Sequence, residues 1–172
     1  MNKHLQHSNR RETWETPLEI FKPLNRCFGF TIDLAANRNN ALCRRFIGPD
    51  SLVHQDFLHV GPRDLRKDIC WINPPYGKML APFTAQIAML AQAGISIVAL
   101  LPANLETGWF HDNVHGVATS IYARRGRIQF LYKGKRPLRR NAEGKMVPNS
   151  NTGANILAVY TSCYVPTGWV RL

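Results

Sequence analysis

No stretch of this chain approaches the roughly eighteen consecutive apolar residues that a membrane-crossing helix requires, so no transmembrane span is expected. Cysteine is scarce. Cys27, Cys43, Cys70 and Cys163 are widely spaced and form no Cys-x-x-Cys pair, which argues against a zinc site and against a disulfide framework. Two of the four sit in apolar runs, and reduced, buried thiols of a cytosolic protein are the expectation. Residues 1–11 are polar and lack an apolar signal core, so secretion is not expected. Internal repeats and low-complexity tracts are absent. Acidic residues are few, 11 against 22 Lys and Arg, and the net charge of +11 points to a polyanionic partner.

What is present fits one globular domain. A chain of 172 residues, 45% apolar, can bury a sizeable core. Residues 1–12 are expected to be a flexible tail and 13–172 a single domain. The positive charge is concentrated: from Arg124 to Met146 nine basic residues (Arg124, Arg125, Arg127, Lys133, Lys135, Arg136, Arg139, Arg140, Lys145) stand against Glu143 alone. A merely solubilising surface mixes signs. A basic loop spanning about 124–150 is therefore expected to contact nucleic acid.

The pattern of apolar residues alternates strands with helices. Thr16-Pro17 opens a helix, since Pro suits the first helical position, with Leu18, Phe21 and Leu24 as its apolar face. Phe30 to Leu34 reads as a strand ending in Ala35-Ala36, and short extended pieces follow near 45–47 and 52–53. Residues 69–72 form a buried strand, Pro82 to Ala93 a helix closed by Gly94, and Ile95 to Leu101 a central strand covered on both faces. A strand at 118–122 follows. Residues 128–132 and 156–161 look like arms of a hairpin joined by the basic loop. The fold class is α/β, a mostly parallel sheet with a C-terminal antiparallel hairpin.

The most informative segment is Trp71-Ile72-Asn73-Pro74-Pro75-Tyr76-Gly77. Two prolines cannot donate to a sheet ladder and force a turn. An Asn amide, donor-free carbonyls and an aromatic ring thus project from the C-terminal end of a strand, where open α/β sheets bind ligands. An amide oxygen and a backbone carbonyl can together accept from one exocyclic amino group while Tyr76 stacks on the ring bearing it. That suits methyl transfer to a planar amine.

With Asn73-Pro74-Pro75-Tyr76 the chain resembles the phage-type DNA N6-adenine methyltransferases, the phage Dam family, from about Trp14 to Thr161. The resemblance is carried also by Trp14-Glu15-Thr16-Pro17 with Phe21, by Phe28-Gly29-Phe30-Thr31-Ile32-Asp33-Leu34-Ala35-Ala36, and by Asn40-Ala41 with Cys43. Further on it rests on Leu100-Leu101-Pro102-Ala103, Trp109-Phe110, and Gly126-Arg127-Ile128-Gln129-Phe130. It implies a compact Rossmann-like fold and S-adenosyl-L-methionine as methyl donor. It further implies transfer to adenine N6 in double-stranded DNA, by base flipping and direct displacement, at a short site such as GATC. Asn73, Pro74, Pro75 and Tyr76 are then catalytic.

Cofactor contacts are expected at Thr16 and Pro17, at Asp33, Ala35 and Asn40, and at Asp56-Phe57, an acidic–aromatic pair for the cofactor's adenine. A glycine-rich turn after the first strand is missing, so Ala35 and Ala36 must let the ligand approach. Only about 40 residues separate Asp33 from Asn73, too few for two full strand–helix units, and missing or vestigial helices are expected there. DNA contacts are expected at Lys78 and across the basic loop. Neither metal nor membrane is implied. A monomer or weak dimer is expected, encoded by a phage or prophage and acting in the bacterial cytoplasm. His111 and His115, one helical turn apart, lack the third ligand a metal needs.

Three other readings stay open on sequence. The acceptor could be cytosine N4, which offers the same amino chemistry. It could be RNA or a protein glutamine, although glutamine methyltransferases with this motif usually add a helical domain and a glycine-rich cofactor loop. Lastly, the chain could be an inactive DNA-binding module, which the intact Asn73–Tyr76 segment disfavours.

Overall fold

In the computed structural model, which describes residues 14–148, 153–161 and 169–172, the sheet is organised around strands whose alternate residues are buried on opposite faces. β3 (Ile69–Ile72) and β4 (Ser96–Pro102) pair in parallel, Ile72 opposite Ala99. Cys70, Ile72, Ile97, Ala99 and Leu101 face one core layer, while Trp71, Val98 and Leu100 face the other. This period of two with no polar side explains the near-continuous apolar run. β1 (Ile32–Asp33) pairs in parallel with β3 and with β2 (Arg45–Phe46). The seven-stranded sheet is completed by β8 (Asn155–Val159), β5 (Ser120–Arg124) and β9 (Trp169–Arg171), in the order β2-β1-β3-β4-β8-β5-β9. β6 (Leu138–Arg140) and β7 (Met146–Pro148) form a separate small ribbon within the basic segment.

Helix α1 (Leu18–Phe28) covers one face. Pro17 precedes it in extended geometry, and Gly29 closes it at φ 70°, donating to the Asn25 carbonyl. Its buried residues are Ile20, Phe21, Leu24 and Phe28, and Phe21 meets Trp71 edge-on at 5.5 Å. Leu18, expected on that face, is half exposed, because the helix begins after Pro17 and turns its first residue outward. Helices α2 (Leu80–Gln92) and α3 (Gly108–Asn113) cover the opposite face through Leu80, Ile87, Leu90 and Phe110. The expected shortage of helices is found. Between β1 and β3 lie only β2 and two single 3₁₀ turns, Phe57–His59 and Pro62–Leu65.

The anticipated hairpin is not formed. Residues 128–130 have no strand pairing, Leu131 bridges to Glu15 and Tyr132 to Lys135. β8 instead inserts antiparallel between β4 and β5, Asn155 opposite Pro102 and Val159 opposite both Val98 and Ser120. Burial decides this: Ile156 to Val159 can be covered on both faces only inside the sheet, whereas Ile128 and Phe130 bury their side chains beneath α1 from an irregular segment. Cys70 is buried and Cys43 partly so, but Cys27 on α1 is exposed, against expectation. Cys163, the tail at 1–12 and residues 149–150 of the basic loop lie outside the described residues. No helix among the described residues is long and apolar enough to cross a membrane.

Gly48, just after β2, fixes the loop above β1. A Cβ there would lie 1.8 Å from the Ala36 carbonyl oxygen, a backbone atom that cannot swing aside. Gly48→Ala is therefore expected to destabilise the protein by about 1–3 kcal/mol, the usual cost of overpacking. Thermal unfolding checks this, and an unchanged melting temperature would show that the loop yields.

Candidate active site

Because β1 and β3 run in parallel and in register, Asp33 opposite Trp71, their C-terminal ends open side by side. Leu34 N–H donates to the Trp71 carbonyl at 2.9 Å, after which the chains diverge: β1 into the turn 34–42, β3 into Asn73-Pro74-Pro75-Tyr76. Gly77 completes that turn at φ 97°, a conformation glycine adopts without strain. Two adjoining cavities lie where they part. One is bordered by Asn73, Pro74, Pro75, Tyr76 and Phe130. The other is bordered by Thr16, Asp33, Leu42 and Trp71. Trp14, Ala35, Asn40 and Asn73 border both.

The orientation of Asn73 follows from hydrogen-bond chemistry. Its Nδ2 donates to the Trp14 carbonyl at 3.4 Å. A carbonyl can only accept, so the amide oxygen must face the other way. Among the described residues two buried side-chain polar atoms have no hydrogen-bond partner: Asn73 Oδ1 and Thr16 Oγ1. An unpaired buried acceptor costs about 1–3 kcal/mol. Both atoms belong to residues bordering the cavities, and neither spends its lone pairs on a partner among the described residues.

Asp33 has a different part. Its Oδ1 accepts from Ala35 N–H at 3.3 Å and its Oδ2 from Leu42 N–H at 3.1 Å, clamping both ends of the turn that glycines shape in other such folds. Asn40 supports the same turn, its Oδ1 accepting from Asn37 N–H at 2.7 Å. Burial pushes the Asp33 carboxyl up to about 6, with the two backbone bonds pulling the other way. A raised carboxyl favours the protonated fold. The stability it lends is complete below about pH 4 and is lost as pH rises through about 6, a difference of about 3 kcal/mol. In the unliganded protein, the infrared band of protonated Asp33, identified by its absence from Asp33→Asn, is expected to vanish with a midpoint near pH 6. A midpoint below pH 4 would show that the backbone donors outweigh burial.

Tyr76 is held at both ends of its ring. Its hydroxyl accepts from Asn155 Nδ2 at 3.0 Å, and the ring stands edge-on to Phe130 at 6.0 Å. Burial raises its phenol far above the ordinary range, so it stays neutral. Phe130 in turn stacks on Trp14 at 5.6 Å. Glu15 fastens the basic segment beside this wall. Its main chain exchanges two 2.9 Å bonds with Leu131, and its carboxylate accepts from Gly134 N–H at 2.9 Å.

The structure thus gathers Thr16, Asp33, Ala35, Asn40 and Asn73 to Tyr76 at one edge of the sheet. Pro17 borders neither cavity and serves to start α1. Asp56 and Phe57 also stand apart. Asp56 is exposed, caps a 3₁₀ turn through Leu58 N–H at 3.0 Å and pairs with His59 at 2.8 Å, while the Phe57 ring is buried against Phe83 at 5.2 Å. A ring committed to the core offers no face to an adenine. Trp14, Leu42, Trp71, Phe130 and Asn155 were not singled out as site residues from sequence. Asn155 does carry a signal, as a lone polar residue heading the apolar run 156–159.

Of the basic candidates, Lys78, Arg125, Arg127, Lys133 and Lys135 are exposed and no acid pairs with them among the described residues. Arg136 is engaged by Glu19 at 3.2 Å and Gln129 at 2.9 Å, and Arg140 donates to the Gly144 carbonyl at 3.0 Å. Arg124 is half-buried on β5, and Arg139 lies in β6.

Residues 3–166 match the family model described as DNA N-6-adenine-methyltransferase (Dam). The chain is also similar to the DNA N-6-adenine-methyltransferase of Haemophilus phage HP1 (strain HP1c1), 27% identical over 133 residues, which covers 76% of this chain and 73% of that relative.

Proposed function

The chain belongs to the family of DNA N-6-adenine-methyltransferases (Dam), and from that premise we propose that it methylates N6 of an adenine flipped out of double-stranded DNA, with S-adenosyl-L-methionine as donor. The observation that carries this reading is the buried, unpartnered Asn73 Oδ1 beside Pro74, Pro75 and the Tyr76 ring. The N6 amino group donates to Asn73 Oδ1 and to the Pro74 carbonyl, and the Tyr76 ring lies along the flipped base. The N6 lone pair is delocalised into the purine and is a poor nucleophile. Two acceptors on its hydrogens favour a pyramidal nitrogen and localise that pair, which is stabilisation aimed at charge developing during transfer. Transfer is a direct displacement with no covalent enzyme adduct. No base is needed beforehand, because the nitrogen becomes acidic only afterwards.

The donor belongs in the adjoining cavity. S-adenosyl-L-methionine, when bound, supplies an electrophilic methyl group. The residues present fit it: Thr16 offers an unpartnered hydroxyl, Ala35 gives close access to the backbone, and Asn40 and the Asp33-clamped turn form the wall. The exposed basic residues of 124–145, with Lys78, hold phosphates on either side of the extruded base. The test is methyl transfer from labelled S-adenosylmethionine to unmethylated double-stranded DNA, followed by nucleoside analysis. N6-methyladenine is the expected product. N4-methylcytosine, or no methylated DNA despite bound cofactor, would overturn the proposal.

A further inference from the structure

Asn155 is the first residue of β8, where the chain re-enters the sheet after the basic segment. It is buried, and Ile156 to Val159 behind it are wholly apolar. A lone polar residue in that place needs partners, and its Nδ2 finds two acceptors: Tyr76 Oη at 3.0 Å and the Leu101 carbonyl at 3.3 Å. The second bond ties it to β4, the most central strand, so its amide is held by the rigid part of the fold. The first reaches across 79 residues of sequence to the tip of the motif tyrosine.

We propose that Asn155 is a positioning residue for methyl transfer, anchoring the Tyr76 hydroxyl so that the ring stands ready for the flipped adenine before it arrives. The inference rests on the reading of Asn73 to Tyr76 as the base-binding site. Pro75 and Gly77 set the main chain on either side of Tyr76, but neither restrains rotation of the ring about its own side-chain bonds. The ring packs against both core layers and stands edge-on to Phe130. The hydrogen bond at the ring's far end acts with the longest lever against swing about the Cα–Cβ bond, while rotation about the Cβ–Cγ axis, on which Oη lies, is left to the packing of the ring. A side chain fixed in its working orientation loses no freedom when the base binds.

Three variants test this: Asn155→Leu, Tyr76→Phe and the two combined. The readouts are kcat/KM for methylation of double-stranded DNA and the dissociation constant of S-adenosylhomocysteine. Each single variant is expected to lose about three- to tenfold in kcat/KM, the worth of one neutral hydrogen bond. The combined variant should be no worse than the weaker single one, since both remove the same bond. Affinity for S-adenosylhomocysteine should stay at the wild-type value, whereas a merely structural Asn155 would weaken both. Losses that multiply in the combined variant would overturn the proposal. So would wild-type kcat/KM for Tyr76→Phe, which keeps the ring and decides the matter alone if Asn155→Leu does not fold. Failure of the wild-type chain to methylate DNA would instead remove the reading beneath it, and this inference with it.

Discussion

Asn73→Ala is expected to lower kcat by about two orders of magnitude or more, by analogy with removing one preorganised group from a transition state, while S-adenosylhomocysteine still binds. The size follows from where the lost atom sits. Asn73 Oδ1 is buried, has no partner among the described residues, and is held in that direction because Nδ2 donates to the Trp14 carbonyl. It needs no reorganisation at the moment of reaction. The same geometry limits the effect on stability. An orphaned acceptor is a standing cost of about 1–3 kcal/mol, so its removal offsets part of what the lost packing and the lost bond to the Trp14 carbonyl cost, and the melting temperature should fall little. Asn73→Asp keeps an acceptor toward the cavity but turns a second oxygen on the Trp14 carbonyl, and should fall between wild type and Ala. If Asn73→Ala turns over at near the wild-type rate with cofactor bound, the role assigned to the amide is wrong.

How far the sequence reveals this site depends on how local each determinant is. Asn73 to Tyr76 is visible because strand, double proline and aromatic are contiguous, and the run from Ile95 to Leu101 is visible because burial on both faces leaves Ser96, at the partly exposed start of β4, as its single polar residue. The absent helices between Asp33 and Asn73 can be read from chain length alone. The partners that orient the motif cannot. Trp14 and Asn155 lie 59 and 79 residues away from the atoms they meet, and only sheet order brings them there. The same holds for the hairpin that did not form. Ile128 and Phe130 alternate like strand residues, yet their period of two arises from an irregular segment pressed under α1, while β8 took the vacant place beside β4. Asp56-Phe57 errs in the other direction. A two-residue pattern of the right chemistry has no context, and here its carboxylate caps a turn and its ring fills the core.

The second large effect concerns the charge. Nine basic residues lie between Arg124 and Met146, but the structure divides them. Arg136 is occupied by Glu19 and Gln129, Arg140 by a carbonyl of its own ribbon, and Arg124 is half-buried. Arg125, Arg127, Lys133 and Lys135 are exposed and paired with no acid among the described residues, on the segment that Glu15 fastens beside the cavity. If these four meet phosphates, each releases a counterion, and log affinity should fall against log salt with a slope of about −3.6 from them alone. Between 50 and 200 mM salt that is a loss of about 150-fold in DNA affinity. Replacing all four by Gln should flatten the slope by the same amount, weaken binding most at low salt, and leave kcat at saturating DNA near wild type, since none of them borders the cavities. An unchanged slope would place the phosphate contacts elsewhere, whereas a collapse of kcat with the slope intact would mean that the segment shapes the active site instead of holding the duplex.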